Sequence, residues 1–304
     1  MLISFVLRPF VAPPVNEPIH IPVLLAEILE WIAPQPGWVV ADGTFGAGGH
    51  TAALAERVQP DGLVGAVDRD PAAIAVAEQR RWGLPIKLTH ASYRELPQIL
   101  ADVGHPRVRG IVLDLGLSSD QLADRERGFS FESEGVLDMR FDTSAGEPTW
   151  QWLSRVDETE LARVIYEYGE ERYSRRIARR IVAQRPEPIK SAKQLASLIR
   201  SSVPRTHNER IDPATRSFQG IRIAVNGELD ELASALRVLP DCLEVGGRLA
   251  IISFHSLEDR LVKNAMRDDL RLNNLTKKPI TATEQEINEN PRSRSAKLRV
   301  AERV

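Results

Sequence analysis

A single cysteine, Cys242, stands in 304 residues, which excludes a disulfide framework and any cysteine-built zinc site. A dominant sign of charge is also missing. The 40 Lys and Arg face 42 Asp and Glu, so no global field draws a polyanion and any basic surface must be local. No apolar run reaches the ~18 residues of a membrane span, and no membrane partner is expected. Nor is a secretory leader expected. Met1 to Leu7 is apolar, but Arg8-Pro9 cuts it short, no charge precedes it, and Pro13, Pro14 and Pro18 follow. Residues 1–19 read as a loose extension, and the expected compartment is cytoplasmic. Internal repeats are absent too. What remains, 42% hydrophobic and 27% charged residues, is the make-up of a globular protein with enough apolar content for a sizeable core.

From residue 36 onward, short β-rich runs alternate with helical stretches, the pattern of a parallel sheet covered on both faces. Gly37–Asp42, Leu63–Asp68 and Gly110–Asp114 are expected strands that each end in a carboxylate, and Ile86–His90 is another strand. Helices are expected over His50–Val58 and from Pro71, where the missing N–H of proline costs nothing. Open α/β sheets bind ligands outside the carboxyl ends of their strands, so Asp42, Asp68 and Asp114 should meet at one such edge. The next strand, Arg248–Phe254, lies more than a hundred residues beyond Asp114. A crossover needs one helix and short loops, so the gap must hold an insertion. Its periodicity is helical: Leu161, Val164, Ile165 and Tyr168 share one face, and Tyr173, Ile177 and Ile181 another. Ser191–Val203 and one long helix from Ala214 to about Leu239 bring the chain back. Ser256–Met266 reads as helix, Asn273–Pro291 as polar and irregular, and Lys297–Val304 as a final strand. The expected class is α/β, a Rossmann-like sheet with an inserted helical subdomain. The expected division is an extension over 1–19, a cofactor-binding domain over 20–121 and 217–304, and the insertion over 122–216.

Asp42-Gly-Thr-Phe-Gly-Ala-Gly-Gly49 carries the strongest local signal, because glycines let the backbone approach a ligand that faces helix N–H groups. A glycine-rich turn alone serves dinucleotides and S-adenosylmethionine (SAM) alike. Two details favour SAM. Counting from Gly46, the last glycine of a dinucleotide fingerprint would fall on Thr51, and Asp42 suits an ammonium group better than a pyrophosphate. Asp68 is placed for ribose hydroxyls, as either ligand requires. Asp114-Leu-Gly-Leu-Ser-Ser-Asp-Gln121 follows the next strand, and Gly128-Phe-Ser-Phe131 offers rings that either stack on an extruded base or anchor a loop. From Glu171 to Arg216, twelve basic residues face four acids, with Arg172, Arg175, Arg176, Arg179 and Arg180 expected on one short helix. Such a local excess in a near-neutral chain points to phosphate binding. Asn290–Arg299 is a second basic stretch. The six histidines show no metal-ligand spacing, so no metal is expected.

Taken together, these motifs resemble one family. His20-Ile-Pro-Val-Leu-Leu, Asp42–His50, Asp68-Arg-Asp-Pro71, Leu113–Ser119, Arg127–Phe131, Leu137-Asp-Met-Arg140, Tyr168–Arg172, Pro213–Phe218, Ser253–Arg260 and Asn290–Arg294 are similar to the bacterial small-subunit (16S) rRNA cytosine-N4 methyltransferases, RsmH, also called MraW. The resemblance implies a class I SAM-dependent methyltransferase acting on a cytidine of the decoding centre, with 16S rRNA in the small ribosomal subunit as partner and an RNA-facing insertion. It implies cofactor contacts at Gly48, Gly49, His50, Asp68, Asp114 and Gln121, and at Tyr93, where the family often has Phe. Asp114 is the leading candidate for the catalytic acceptor of the amine, with Asp138 and His255 behind it. The sequence leaves the oligomeric state open, a homodimer included.

Overall fold

The computed structural model describes residues 21–80, 82–204 and 212–304. The expected extension over 1–19, His20 and His207 lie outside the described residues. Short apolar runs, buried on both faces in the inner strands, make the parallel strands. They are β1 (Val39–Asp42), β2 (Leu63–Asp68), β3 (Ile86–His90), β4 (Val108–Asp114) and β5 (Leu243–Ser253), joined by the antiparallel β6 (Leu272–Asn274) and β7 (Lys297–Arg303). Together they form a seven-stranded sheet in the order β3-β2-β1-β4-β5-β7-β6. The order reverses between β1 and β4, which opens a crevice at their carboxyl ends.

Helices α1 (Leu25–Ile32), α2 (Gly49–Val58), α3 (Pro71–Gln79), α4 (Leu96–Asp102) and α5 (Ser119–Ala123) accompany the first strands. The interval before β5 holds α6 (Thr149–Arg155), α7 (Glu158–Glu167), α8 (Ser174–Val182), α9 (Ala192–Ser202) and α10 (Ala214–Asn226). Then come α11 (Glu228–Val238), α12 (Ser256–Asp268) after β5, and α13 (Glu284–Glu289) before β7. No helix among the described residues is long and apolar enough to cross a membrane.

Side chains alternate across the strands. Ile111, Leu113 and Ile251 enter one core with Leu96 and Leu236, while Val112 and Ile252 enter the opposite one with Ile28, Leu54 and Val300. Helices α6 to α10 surround a core of their own, in which Leu161, Ile165, Ile177 and Ile181 pack with Leu195 and Phe218. Trp150 and Trp152 pack against this core.

Three local expectations need correction. The long helix from Ala214 is two helices: Gly227 adopts φ 60°, caps α10 and redirects the chain into α11. Arg172 precedes α8, which begins at Ser174. Asn273–Pro291 is not irregular throughout, since it overlaps β6 and contains α13, whose start Thr283 caps by accepting from the Glu286 N–H.

Candidate active site

The three strand-end acids lie on adjacent strands, but they have different tasks. Asp42 is 1% exposed. Its Oδ1 accepts from the Thr44 N–H at 2.9 Å and its Oδ2 from Thr51 Oγ1 at 2.6 Å. Thr44 Oγ1 in turn accepts the Asp114 N–H at 2.6 Å. Asp42 therefore organises the turn from within and does not present an oxygen to an ammonium group, as its position in the sequence had suggested.

A cleft open to solvent lies above the strand ends. The Asp68 side chain reaches it, while accepting from the Gly46 N–H at 2.7 Å and the Asp70 N–H at 2.8 Å. Burial nevertheless raises its carboxyl to about 6, with Asp70 and Asp42 pushing the same way and the two N–H donors pulling back. Further hydroxyl donors would relieve that cost. Asp114 is likewise raised to about 6, first by burial, with His50 and Arg292 opposing and Asp42 and Glu258 adding. Its Oδ1 is buried without a hydrogen-bond partner, which leaves the Oδ2 side as the part open to a ligand. Tyr93, from the turn after β3, lines the cleft with Gly49 and His50, and burial, then the nearby Glu228, pushes its phenol above the usual range.

Gly46 takes φ 54° and Gly48 φ 84°, conformations that favour glycine. A Cβ on Gly48 would come within 2.6 Å of Trp82 and 2.7 Å of Phe45. Gly48 is buried against these rings and does not face the cleft, whereas Gly46, Ala47 and Gly49 do. The first N–H groups of α2 follow, and the start of a helix attracts anions.

Gln121 lines the cleft with its amide already engaged. Its Oε1 accepts the Ser118 N–H at 3.0 Å, and its Nε2 donates to Asp70 Oδ2 at 2.8 Å. Asp70 is a hub that the motif reading missed. It caps α3 through the Ala72 N–H and pairs with Arg127 at 3.0 Å, and Arg127 donates onward to the Arg140 and Phe141 carbonyls. Asn226 completes the tie by accepting the Phe141 N–H at 2.7 Å and donating to the Met139 carbonyl at 2.7 Å. These bonds bind the first loop of the insertion to the cleft wall.

The weaker acceptor candidates separate from the cleft. Asp138 is held by Arg140 at 2.7 Å. His255 caps α12, its Nε2 lying 3.1 Å from Glu258 Oε1. Glu258 does line the cleft, where burial would raise its carboxyl but His255 and Arg222 hold it low. Glu228, His255 and Glu258 bring ligand atoms within 4.8 Å of one another, yet Arg222 donates to both Glu228 oxygens at 2.8 and 2.9 Å. That cluster is balanced by protein charge.

Two sequence readings resolve into packing. Phe129 stacks on Phe141 with centroids 5.8 Å apart, and Phe131 meets Phe218 edge-on at 4.8 Å, so both rings are loop anchors. The second basic stretch is not one surface. Arg299 is buried against Asp259 at 2.6 Å, while Arg292 enters the cleft wall and donates to Ser119 Oγ and the Leu117 carbonyl. By contrast Arg172, Arg175, Arg176, Arg179 and Arg180 are all exposed. The turn before them abuts the cleft side of the sheet, since Glu170 accepts from Ser256 Oγ at 2.7 Å.

A family model described as the MraW methylase family matches residues 17–304. The chain is 48% identical to Ribosomal RNA small subunit methyltransferase H of Rhodopirellula baltica, over 94% of this chain and 91% of that protein. It is 49% identical to the protein of the same name from Synechococcus elongatus, over 94% and 95% of the two chains. Among solved structures, an rRNA methylase from Streptococcus thermophilus aligns at 15% identity with a TM-score of 0.43, over 92% of each chain. By a family match over nearly its whole length and relatives at this identity, the chain belongs to the MraW methylase family of methyltransferases.

Proposed function

We propose that this methyltransferase acts in the cytoplasm on 16S rRNA within the small ribosomal subunit, methylating the exocyclic N4 of a decoding-centre cytidine with SAM as methyl donor. The observation that carries the reading is the placement of Asp114, an under-solvated carboxyl at about 6, in a cleft between a glycine turn and an insertion bearing exposed arginines. The names of the relatives support an rRNA substrate.

The residues present fit SAM. Ala47, Gly49 and the first N–H groups of α2 would hold its carboxylate, Asp68 its ribose hydroxyls and Tyr93 its adenine, with His50 and Gln121 fixing the walls and Gly48 the turn. SAM supplies an electrophilic methyl group on a sulfonium. Cytosine N4 is a weak nucleophile because its lone pair is delocalised into the ring. A hydrogen bond from N4–H to Asp114 localises that pair on nitrogen and aims it. Alignment of this kind supplies up to ~7–11 kcal/mol of the barrier.

The base must leave its stack, at a cost of a few kcal/mol. The RNA-facing insertion, 122–216, supplies compensating phosphate contacts through Arg172, Arg175, Arg176, Arg179 and Arg180. The test is methyl transfer from labelled SAM into small subunits from cells lacking this protein, followed by nucleoside mass spectrometry. N4-methylcytidine with the wild type and none with Asp68→Ala is the expected result. Label on another nucleoside overturns the specificity, and no SAM binding overturns the reading altogether.

A further inference from the structure

His50 is 5% exposed and does not reach into the cleft as a free donor. Its Nε2 lies 2.9 Å from the Val23 carbonyl oxygen. A carbonyl only accepts, so Nε2 carries hydrogen, and in the neutral ring Nδ1 is then a bare lone pair. That lone pair lies 3.7 Å from Asp114 Oδ2. An imidazole lone pair facing a carboxylate is repulsive, and Asp114 Oδ1 is already buried without a partner. At 3.7 Å the two atoms are beyond a hydrogen bond but within ion-pair reach, so a proton on Nδ1 turns the repulsion into attraction.

We infer that His50 is the positioning residue of Asp114: its imidazole holds a proton against Oδ2, keeping Asp114 oriented and ionised, and it does not serve as a direct cofactor contact. This deepens the proposed methyl transfer and rests on it. With the proton on Nδ1, Oδ2 has a second lone pair for the N4–H of the target cytosine. The N4 lone pair forms the bond to the methyl carbon, and the carbon–sulfur bond breaks with its electrons left on sulfur. The N4 proton passes to Oδ2 and leaves to water with the product. The charged groups facing Asp114 come from four elements: Asp42 of β1, His50 of α2, Glu258 of α12 and Arg292 from the turn before β7. Asp42 and Glu258 work against its ionisation, so His50 and Arg292 must offset them.

Two readouts test the inference. The first follows the His50 imidazole by NMR against pH in the full-length enzyme without SAM. Asp114→Asn should lower its midpoint by half a unit or more, and an unchanged midpoint overturns the pairing. The second uses His50→Asn. SAM affinity by calorimetry should stay within twofold, while the acid limb of the single-turnover rate at saturating SAM moves to higher pH. A tenfold loss of SAM affinity with an unmoved limb makes His50 a cofactor contact and refutes the inference. If wild-type enzyme makes no N4-methylcytidine, the proposed function fails, whereas the NMR titration still reads the pair.

Discussion

Removing Arg127 should cost more than removing any of the exposed arginines, although it is not expected to touch SAM. Its side chain and that of Asp70 are 11% and 3% exposed. In Arg127→Ala, Asp70 keeps only the Gln121 amide and the Ala72 N–H, and the Arg140 and Phe141 carbonyls lose a donor. Breaking a buried pair by deleting one partner costs roughly 3–5 kcal/mol, and the surviving donors to Asp70 place this case near the lower end, about 3 kcal/mol. At about 2–4 °C per kcal/mol for a large domain, Tm should fall by roughly 6–12 °C. Guanidinium and thermal unfolding measure the loss, and hydrogen exchange should show residues 125–142 opening first. The double variant Asp70→Ala/Arg127→Ala should cost less than the two single variants added, by about 1.5 kcal/mol or more. A Tm within 2 °C of wild type, or strict additivity, refutes the claim that this pair fastens the loop.

The remaining expectations concern pH, charge and space. Methyl transfer at saturating SAM should fall about tenfold per unit as pH drops below about 6, where Asp114 takes a proton; a flat rate down to pH 5 refutes its role as acceptor. The stability effect has the opposite sense to that of a salt-bridged carboxylate. Asp114 binds its proton more tightly folded than unfolded, so its contribution is present below 3.8 and is lost as pH rises through about 6. Asp114→Asn should therefore gain stability relative to wild type between pH 4 and pH 8 in guanidinium titrations. Reversing Arg175, Arg176 and Arg179 to Glu should weaken RNA binding and reduce the slope of log affinity against log salt by about two to three; an unchanged slope removes this surface from the RNA path. Gly43→Ala would place a Cβ 2.3 Å from Leu113 and 2.7 Å from the Tyr93 Cβ. It should destabilise by about 1–3 kcal/mol and weaken SAM binding through Tyr93, as calorimetry would show.

Much of the sheet was legible because three of the five parallel strands, β1, β2 and β4, are short apolar runs ending in Asp, with a glycine or a helix-starting proline close behind. Leu63–Asp68 and Ile86–His90 coincide with β2 and β3 residue for residue. The break at Gly227 was not legible, because Ala214 to Leu239 keeps helical periodicity across it and only a positive φ reveals the turn. In the cleft, residue type pointed to Asp68 and Asp114, but it could not tell an acid that faces the cleft from one consumed by its own turn. Asp42 and Asp68 read alike; Thr51, a turn into α2, decides the difference by donating to Asp42. Arg292 was hidden by its neighbours, since a run of arginines carries no mark of which one turns inward. Asp70 and Arg127 stand 57 positions apart, and no local pattern joins them.

The place of β7 has a consequence for synthesis. This strand is made after the other six but lies between β5 and β6 in the sheet, and the turn before it carries Arg292 to the loop that follows β4. Chains fold from the amino end as they are made, so a nascent polypeptide can assemble β1 to β4 and the helical insertion while its cleft still lacks a wall. Competence arrives in one step, when the last strand slots in. Until then the ribosome holds a half-built enzyme whose arginines are already displayed, with no finished pocket in which to do chemistry.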